Sequence, residues 1–446
     1  MYVSKLTTFA AAALLSTAVF AQTPPAQPTP PSQPSMKEWT FLIYMNADNN
    51  LDANGLEDIN EMEVVGSTDQ INIVTQLDRE GNTGTWRYLV KKDNDKNTIT
   101  SPILETMPEQ DMGSPDTLKA FIQWGTEKFP AKKVAVIIWN HGSGWEKKNN
   151  RYGTRGVSYD DQSGNHLSVK QVGAVLHELA AKRGQKFEVI AYDACLMQMA
   201  EVCDEAVGAV NYQIASEETE PLDGWPYDDV FTALSAHPEW NGADLGKAVT
   251  AAYNASYNGG SQGNSDGTQS CVDLNAFAAF QTAADAFTAS LNAPQYAEKV
   301  TAAIRASQSY AEADHKDFVD FIDNITATIT DKPVVDAAAA LKADLLNKVI
   351  IASGSTGDAM SKSHGIAVWA PTYVSQGLMD SYKKLNWATG TQWDEFVTTV
   401  TAAGNGGGNG GGNGGGDDGG NGKLVLSRIP RNKVRAHRAN LFDGAR

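Results

Sequence analysis

Two short runs, Val134-Ala-Val-Ile-Ile-Trp-Asn140 and Lys186-Phe-Glu-Val-Ile-Ala-Tyr192, end in His141-Gly142 and in Asp193-Ala194-Cys195. They are rich in β-branched residues and nearly without polar positions, so both faces of each run must be covered. That is the condition of a parallel strand inside an α/β sheet. Each run then delivers a polar residue to a strand's carboxyl end, the edge where ligands and catalytic groups of open α/β sheets gather. A thiol beside an imidazole at that edge is a nucleophile with its base, because the free thiol alone is only slightly ionised near neutrality. Taken singly, His141 reads as a satisfied loop histidine and Cys195 as an inert small hydrophobe. Their parallel placement at two strand ends favours cysteine hydrolase chemistry.

The two ends of the chain read as non-globular. Lys5, the apolar stretch Phe9–Phe20 and a small-x-small pattern at Val19-Phe20-Ala21 read as a secretory signal over residues 1–21, too short for a membrane span. Residues 22–36 form a Pro-rich spacer, 404–422 a Gly/Asn-rich tether, and 423–446 a basic tail. The folded part is expected over 37–403. The chain carries a formal charge of −17; with seven basic residues and one acid in the tail, the remainder stands at −23. Such a surface repels nucleic acid and attracts cationic ligands, or serves solubility alone. Three cysteines, Cys195, Cys203 and Cys271, leave at least one thiol unpaired, and Cys195 is the natural one. A Cys203–Cys271 disulfide is not favoured.

Between the ends, Trp39–Met45 and Ile71–Leu77 read as strands flanking a helix over Leu56–Val65, and Trp86–Val90 with Thr98–Ile103 as a hairpin. Ser114-Pro115 caps a helix through about Lys128. Ser168 to Gln171 forms a capping box for a helix stopping near Gly184. The residues after Cys195 read as a helix whose first amides favour a thiolate. Gly365–Ala370 reads as a late strand, so His364, the nearest rival base, lies at the opposite edge if that strand is parallel. The amides of Gly142 and Cys195 are the candidate oxyanion donors.

Trp39 to Leu51, Asn140-His-Gly-Ser-Gly-Trp145 and Tyr192-Asp-Ala-Cys-Leu-Met197 together resemble the clostripain family of cysteine peptidases, relatives of caspases, gingipains and legumains. The resemblance implies a caspase-like three-layer α/β sandwich around a mostly parallel sheet with additional C-terminal helices. It implies a Cys195–His141 dyad and cleavage after Arg or Lys. Asp193 matches the family's pocket acid, and Asp223 is the candidate for a second. Charge-assisted bonds to a guanidinium are what such carboxylates supply; otherwise Asp193 is a structural carboxylate and Asp223 a solvated loop residue. The family also implies self-cleavage in the 146–165 loop, after Arg155 first, or Arg151, Lys148 or Lys147.

No cofactor is required on this reading, and some relatives use calcium. Asp48, Asn50 and Asp52 alternate as in a calcium loop, but Ala53 and Ile59 replace its obligatory Gly and Glu. Partners are expected to be peptides or proteins with Arg or Lys before the scissile bond, without nucleic acid or a membrane span. Two other readings stay open: a catalytically silent protein of the same fold that binds basic peptides, and a cysteine amidohydrolase acting on non-peptide substrates.

Overall fold

The computed structural model describes residues 1–2, 36–81, 84–145 and 156–405. Met1–Met36 and Lys37–Arg446 are separate units, and the second holds the fold. Its strands are β1 (Lys37–Ala47), β2 (Ile71–Arg79), β3 (Thr85–Leu89), β4 (Ile103–Met107), β5 (Ala131–Trp139), β6 (Val157–Asp160), β7 (Asn165–Leu167), β8 (Phe187–Asp193) and β9 (Val210–Ala215). They continue with β10 (Asn258–Gly260), β11 (Gly263–Asn264), β12 (Gly267–Asp273), β13 (His315–Asp317), β14 (Ile350–Thr356) and β15 (Ala367–Trp369). Nine form one sheet in the order β14-β12-β9-β8-β5-β1-β2-β3-β4. The five from β9 to β2 run parallel, and antiparallel strands flank them on both sides.

The first six helices are α1 (Asp52–Glu63), α2 (Pro115–Lys128), α3 (Val169–Arg183), α4 (Ala200–Asp204), α5 (Tyr227–Ala236) and α6 (Gly242–Tyr257). Side chains alternate across the central strands into two cores, which is why these strands show no polar face in sequence. Leu42, Tyr44, Val136, Ile138, Ile190 and Tyr192 pack under α2, α3 and the helices after β12. Phe41, Ile43, Ile137, Trp139, Val189 and Ala191 pack under α1, α5 and α6. This is the three-layer sandwich the sequence led one to expect. Its caps follow the sequence too: Ser114 accepts from the Asp116 amide with Pro115 behind it, Ser168 and Gln171 form a capping box, and Gly184 closes α3 at φ 67°. Among the described residues no helix is long and apolar enough to cross a membrane.

One expectation is corrected by long-range bonding. The hairpin's return strand begins only at Ile103, because the Glu63 carboxylate takes the amides of Thr100 and Ser101 at 3.0 and 2.7 Å and holds that stretch as a loop. The late strand β15 stands outside the main sheet, antiparallel to β13.

Candidate active site

β5 and β8 are neighbours, and their register pairs Trp139 with Asp193. The Asn140 amide donates to the Asp193 carbonyl at 3.2 Å. His141 and Cys195 therefore follow two residues beyond paired positions, at the same carboxyl edge. Their loops are in contact: a Cβ built on Gly142 would lie 2.4 Å from the Cys195 carbonyl oxygen and 3.1 Å from Met197. Only glycine fits there without displacing the backbone of Cys195. Asn140 anchors the turn, donating to the Asn46 carbonyl at 2.5 Å and accepting from the Tyr159 amide at 2.7 Å.

The helix expected from Cys195 does not begin there. Leu196 adopts φ 65°, a left-handed conformation that costs a branched residue about 1–3 kcal/mol and persists only where surroundings impose it. The Leu196 amide donates to the Glu218 carbonyl at 3.1 Å and the Gln198 amide to the Ser216 carbonyl at 2.9 Å. Helical structure resumes only at Ala200, in the five-residue α4. The amide that reaches the sulfur is instead that of Glu220, at 3.4 Å. Burial pushes the Cys195 thiol up to about 11, against that amide, with the Glu218 and Asp193 carboxyls adding to the rise. The expectation of a stabilised thiolate is thereby overturned.

His141 is half-buried, and its Nε2 donates to Asn50 Oδ1 at 2.9 Å, with Asn50 in the loop after β1. With Asn50 Oδ1 as the acceptor the proton sits on Nε2 and the ring's lone pair on Nδ1. Burial lowers the His141 pKa, partly opposed by Asp161. Burial thus favours the neutral form of both the Cys195 thiol and the His141 imidazole. Asn50 was not read as a site residue in sequence, since it contacts His141 across 91 positions of chain. The rival His364 is bound elsewhere, its Nδ1 2.9 Å from Asp317 Oδ1, and that carboxylate raises its pKa.

Asp193 and Glu220 interact with the thiol and head a group of buried and half-buried carboxyls. Asp193 is 5% exposed, and its Oδ2 accepts from the Tyr227 hydroxyl at 2.8 Å. Glu220 hydrogen-bonds with Asp193 through its carboxyl, and its Oε1 accepts from Gln269 at 3.2 Å. On α1, Asp58 accepts from Trp139 Nε1 at 2.6 Å and Glu61 from the Tyr227 amide at 3.1 Å. Burial raises Asp193, and raises Asp58 and Glu220 well above the usual carboxylate range, the Asp193 charge adding to both. Glu61 is pushed to about 8 by burial and then by Asp228. Among the described residues no Lys or Arg forms an ion pair with any of the four.

The loop residue that reaches Asp193 is Glu220, three positions before the expected Asp223. The Gly224 amide turns back to the Pro221 carbonyl, Gly224 adopts φ 56°, and its backbone packs on the Asp193 carboxylate. Asp223 is left exposed, with its carbonyl accepting from Gln262 at 2.7 Å. Asp58 and Glu61, three apart on one helical face, offered a sequence signal that passed unread. Cys203 and Cys271 are both free and buried. The cleavage candidates Lys147, Lys148, Arg151 and Arg155 lie outside the described residues.

Comparison with known proteins bears on the fold and the family. Clostripain of Hathewaya histolytica is 27% identical over 231 residues, which cover 46% of this chain and 44% of that protein, less than half of its length. A secreted C11 cysteine protease of Bacteroides thetaiotaomicron, solved with an irreversible peptide inhibitor, superposes with TM-score 0.63 at 20% identity, covering 80% of this chain and 99% of that one. An inactive zymogen C11 protease of Parabacteroides distasonis gives 0.62 at 20% identity with the same coverage. These structural likenesses establish the fold. With the clostripain family pattern matched over residues 43–399 of a sheet that brings its His and Cys loops into contact, the chain belongs to the clostripain family.

Proposed function

We propose that the protein is an exported cysteine endopeptidase that cleaves after Arg and, second, Lys. The observation that carries this reading is a carboxyl cluster without a Lys or Arg partner among the described residues, in which Asp193 and Glu220 interact with the Cys195 sulfur and Asp58 and Glu61 with Asp193. Carboxyls desolvated in this way hold protons until a cation arrives; a guanidinium restores their charge and gains charge-assisted bonds worth roughly 1.5–3 kcal/mol each. Cys195 attacks the peptide carbonyl while its proton passes to His141 Nδ1. His141 then protonates the leaving amine, and water, activated by the same ring, hydrolyses the thioester. The amides of Gly142 and Cys195 are the donors for the oxyanion. Fluorogenic amides with Arg, Lys, Leu and Asp before the scissile bond test the proposal. Hydrolysis of Arg above Lys and far above the others is expected; binding of basic peptides without any hydrolysis would leave only a silent binding protein.

The resting protonation states set a pH dependence. His141 acts as a base only when unprotonated, and its pKa lies below the ordinary value of 6.5. At saturating Arg substrate, kcat is expected to rise through a single ionisation below pH 6.5 and to stay level to about pH 9, since the thiol titrates only near 11. Saturation keeps the pocket carboxyls charged and out of the profile. A fall in kcat already at pH 8 would mean that some other group carries the reaction.

Self-processing belongs to the same proposal, supported by the likeness to a protein described as an inactive zymogen. The 146–165 loop offers Arg155, Arg151, Lys148 and Lys147 to a trypsin-like cut. Purified wild-type protein should run as two fragments and the Cys195→Ala protein as one intact chain. Fragmentation of that variant when purified alone would assign the cut to another protease.

A further inference from the structure

The Pro221–Gly224 turn brings its neighbourhood down onto Asp193. Glu220, just before it, hydrogen-bonds with the Asp193 carboxyl, the Trp225 amide just after it donates to the same carboxyl, and a Cβ built on Gly224 would lie 3.1 Å from both Asp193 oxygens. The turn is closed by the Gly224 amide on the Pro221 carbonyl at 3.0 Å, while Leu222 and Asp223 stand exposed on it. Its other carbonyls are gripped from outside. Asn54, in the first turn of α1, donates through Nδ2 to the Leu222 carbonyl at 2.9 Å. The Tyr257 hydroxyl, at the end of α6, donates to the Gly224 carbonyl at 2.8 Å. From the hairpin of β10 and β11, Gln262 Nε2 donates to the Asp223 carbonyl at 2.7 Å and to the Gly224 carbonyl at 3.3 Å.

Gln262 is itself held in place. Its backbone amide donates to the Ser256 carbonyl at 3.1 Å, and its Oε1 faces the Ser256 hydroxyl at 2.6 Å. The reversed side-chain amide would set an oxygen against two carbonyl oxygens, so the orientation follows from the partners. The hairpin lies against α6, with Gly260 so near the Ala255 carbonyl that a Cβ would collide with it, and with the Ser265 amide on the Tyr257 carbonyl at 3.2 Å.

We propose that Gln262, together with Asn54, is a positioning residue of the cation pocket, holding the Pro221–Gly224 turn in the conformation that closes Glu220 and the Gly224 backbone onto Asp193. This rests on the reading of Asp193 and Glu220 as the subsite for Arg or Lys. Both side chains are uncharged and act through backbone carbonyls of the turn, so their effect lies in which conformation of the turn is populated. A cationic side chain binds only the closed fraction, and its apparent affinity falls in proportion as that fraction falls. The bound complex is closed and keeps its rate. A substrate with an uncharged residue before the scissile bond does not engage the carboxyls and is indifferent to the turn.

The test uses the full chain with fluorogenic amides carrying Arg or Leu before the scissile bond, kcat and KM being separated for the first and kcat/KM measured at high enzyme concentration for the second. Gln262→Ala, at a half-buried position, should raise KM for the Arg amide about 3- to 10-fold, the factor a lost hydrogen bond represents, with kcat held within about twofold. Its kcat/KM on the Leu amide and its unfolding midpoint should match wild type. Asn54→Ala should show the same split, and it carries the test should Gln262→Ala fail to fold. Ser261→Ala, exposed on the same hairpin, should behave like wild type. A KM for the Arg amide that neither variant moves would overturn the proposal, as would equal losses on both amides, the mark of a general structural role. A wild-type protein that hydrolyses the Arg amide no faster than the Leu amide would remove the pocket reading, and the positioning role with it.

Discussion

Cys195→Ala is expected to lower hydrolysis of a fluorogenic Arg amide by about 10⁴-fold or more, as removal of a covalent nucleophile does elsewhere. That factor corresponds to roughly 5.5 kcal/mol of transition-state stabilisation. The fold should hardly notice. At neutral pH the thiol is uncharged, and it is bonded only weakly, by the Glu220 amide at 3.4 Å and toward the Glu220 carbonyl at 4.0 Å, so no ion pair is lost. A change in stability of about 1 kcal/mol or less is expected from so small a truncation. The two readouts together carry the inference: activity gone with the unfolding midpoint preserved assigns the chemistry to this sulfur. A variant that retains activity within tenfold of wild type would remove Cys195 from the mechanism.

Asp193→Asn carries the second-largest effect. Truncating one charge of a buried pair costs about 2–5 kcal/mol, so kcat/KM for Arg substrates should fall by roughly 30- to 5,000-fold. Asparagine keeps an oxygen for the Tyr227 hydroxyl and the Trp225 amide, so local geometry should survive. A substrate with an uncharged residue before the scissile bond should lose far less, because it never engages the carboxylate. Stability should move the other way. The folded-state pKa of Asp193 is raised above 3.8, so the native state binds this proton more tightly than the unfolded one. Its contribution is therefore present below the unfolded value and lost as pH rises through the folded one. The variant lacks that loss and should be at least as stable as wild type at neutral pH. Equal losses on charged and uncharged substrates would show that Asp193 acts on the fold and not on specificity.

Much of the scaffold was legible because it is written in local patterns. Ser114-Pro115, the Ser168–Gln171 box and Gly184 act within one helical turn, and each stands where the sequence places it. The runs ending at Asn140 and Tyr192 could only be covered strands, and they are. The readings that failed were those in which distant backbone won over local preference. Leu196 to Met199 has the residues of a helix, yet the carbonyls of Glu218 and Ser216 draw its amides away. Glu220 and Asp223 both carry carboxyl side chains three residues apart, and only the Pro221–Gly224 turn decides which one meets Asp193.

The sequence by itself determined the parallel sheet, the shared edge of His141 and Cys195, and the family, because strand burial and motif order are properties of short segments. The tertiary structure alone decided the electrostatics of the site. Asn50 on His141, the neutral resting thiol and the Asp193–Glu220 pair all join residues far apart in the chain. A pKa or a ligand set depends on what is excluded from a volume, and which water a folded chain excludes is settled only when its loops are packed together.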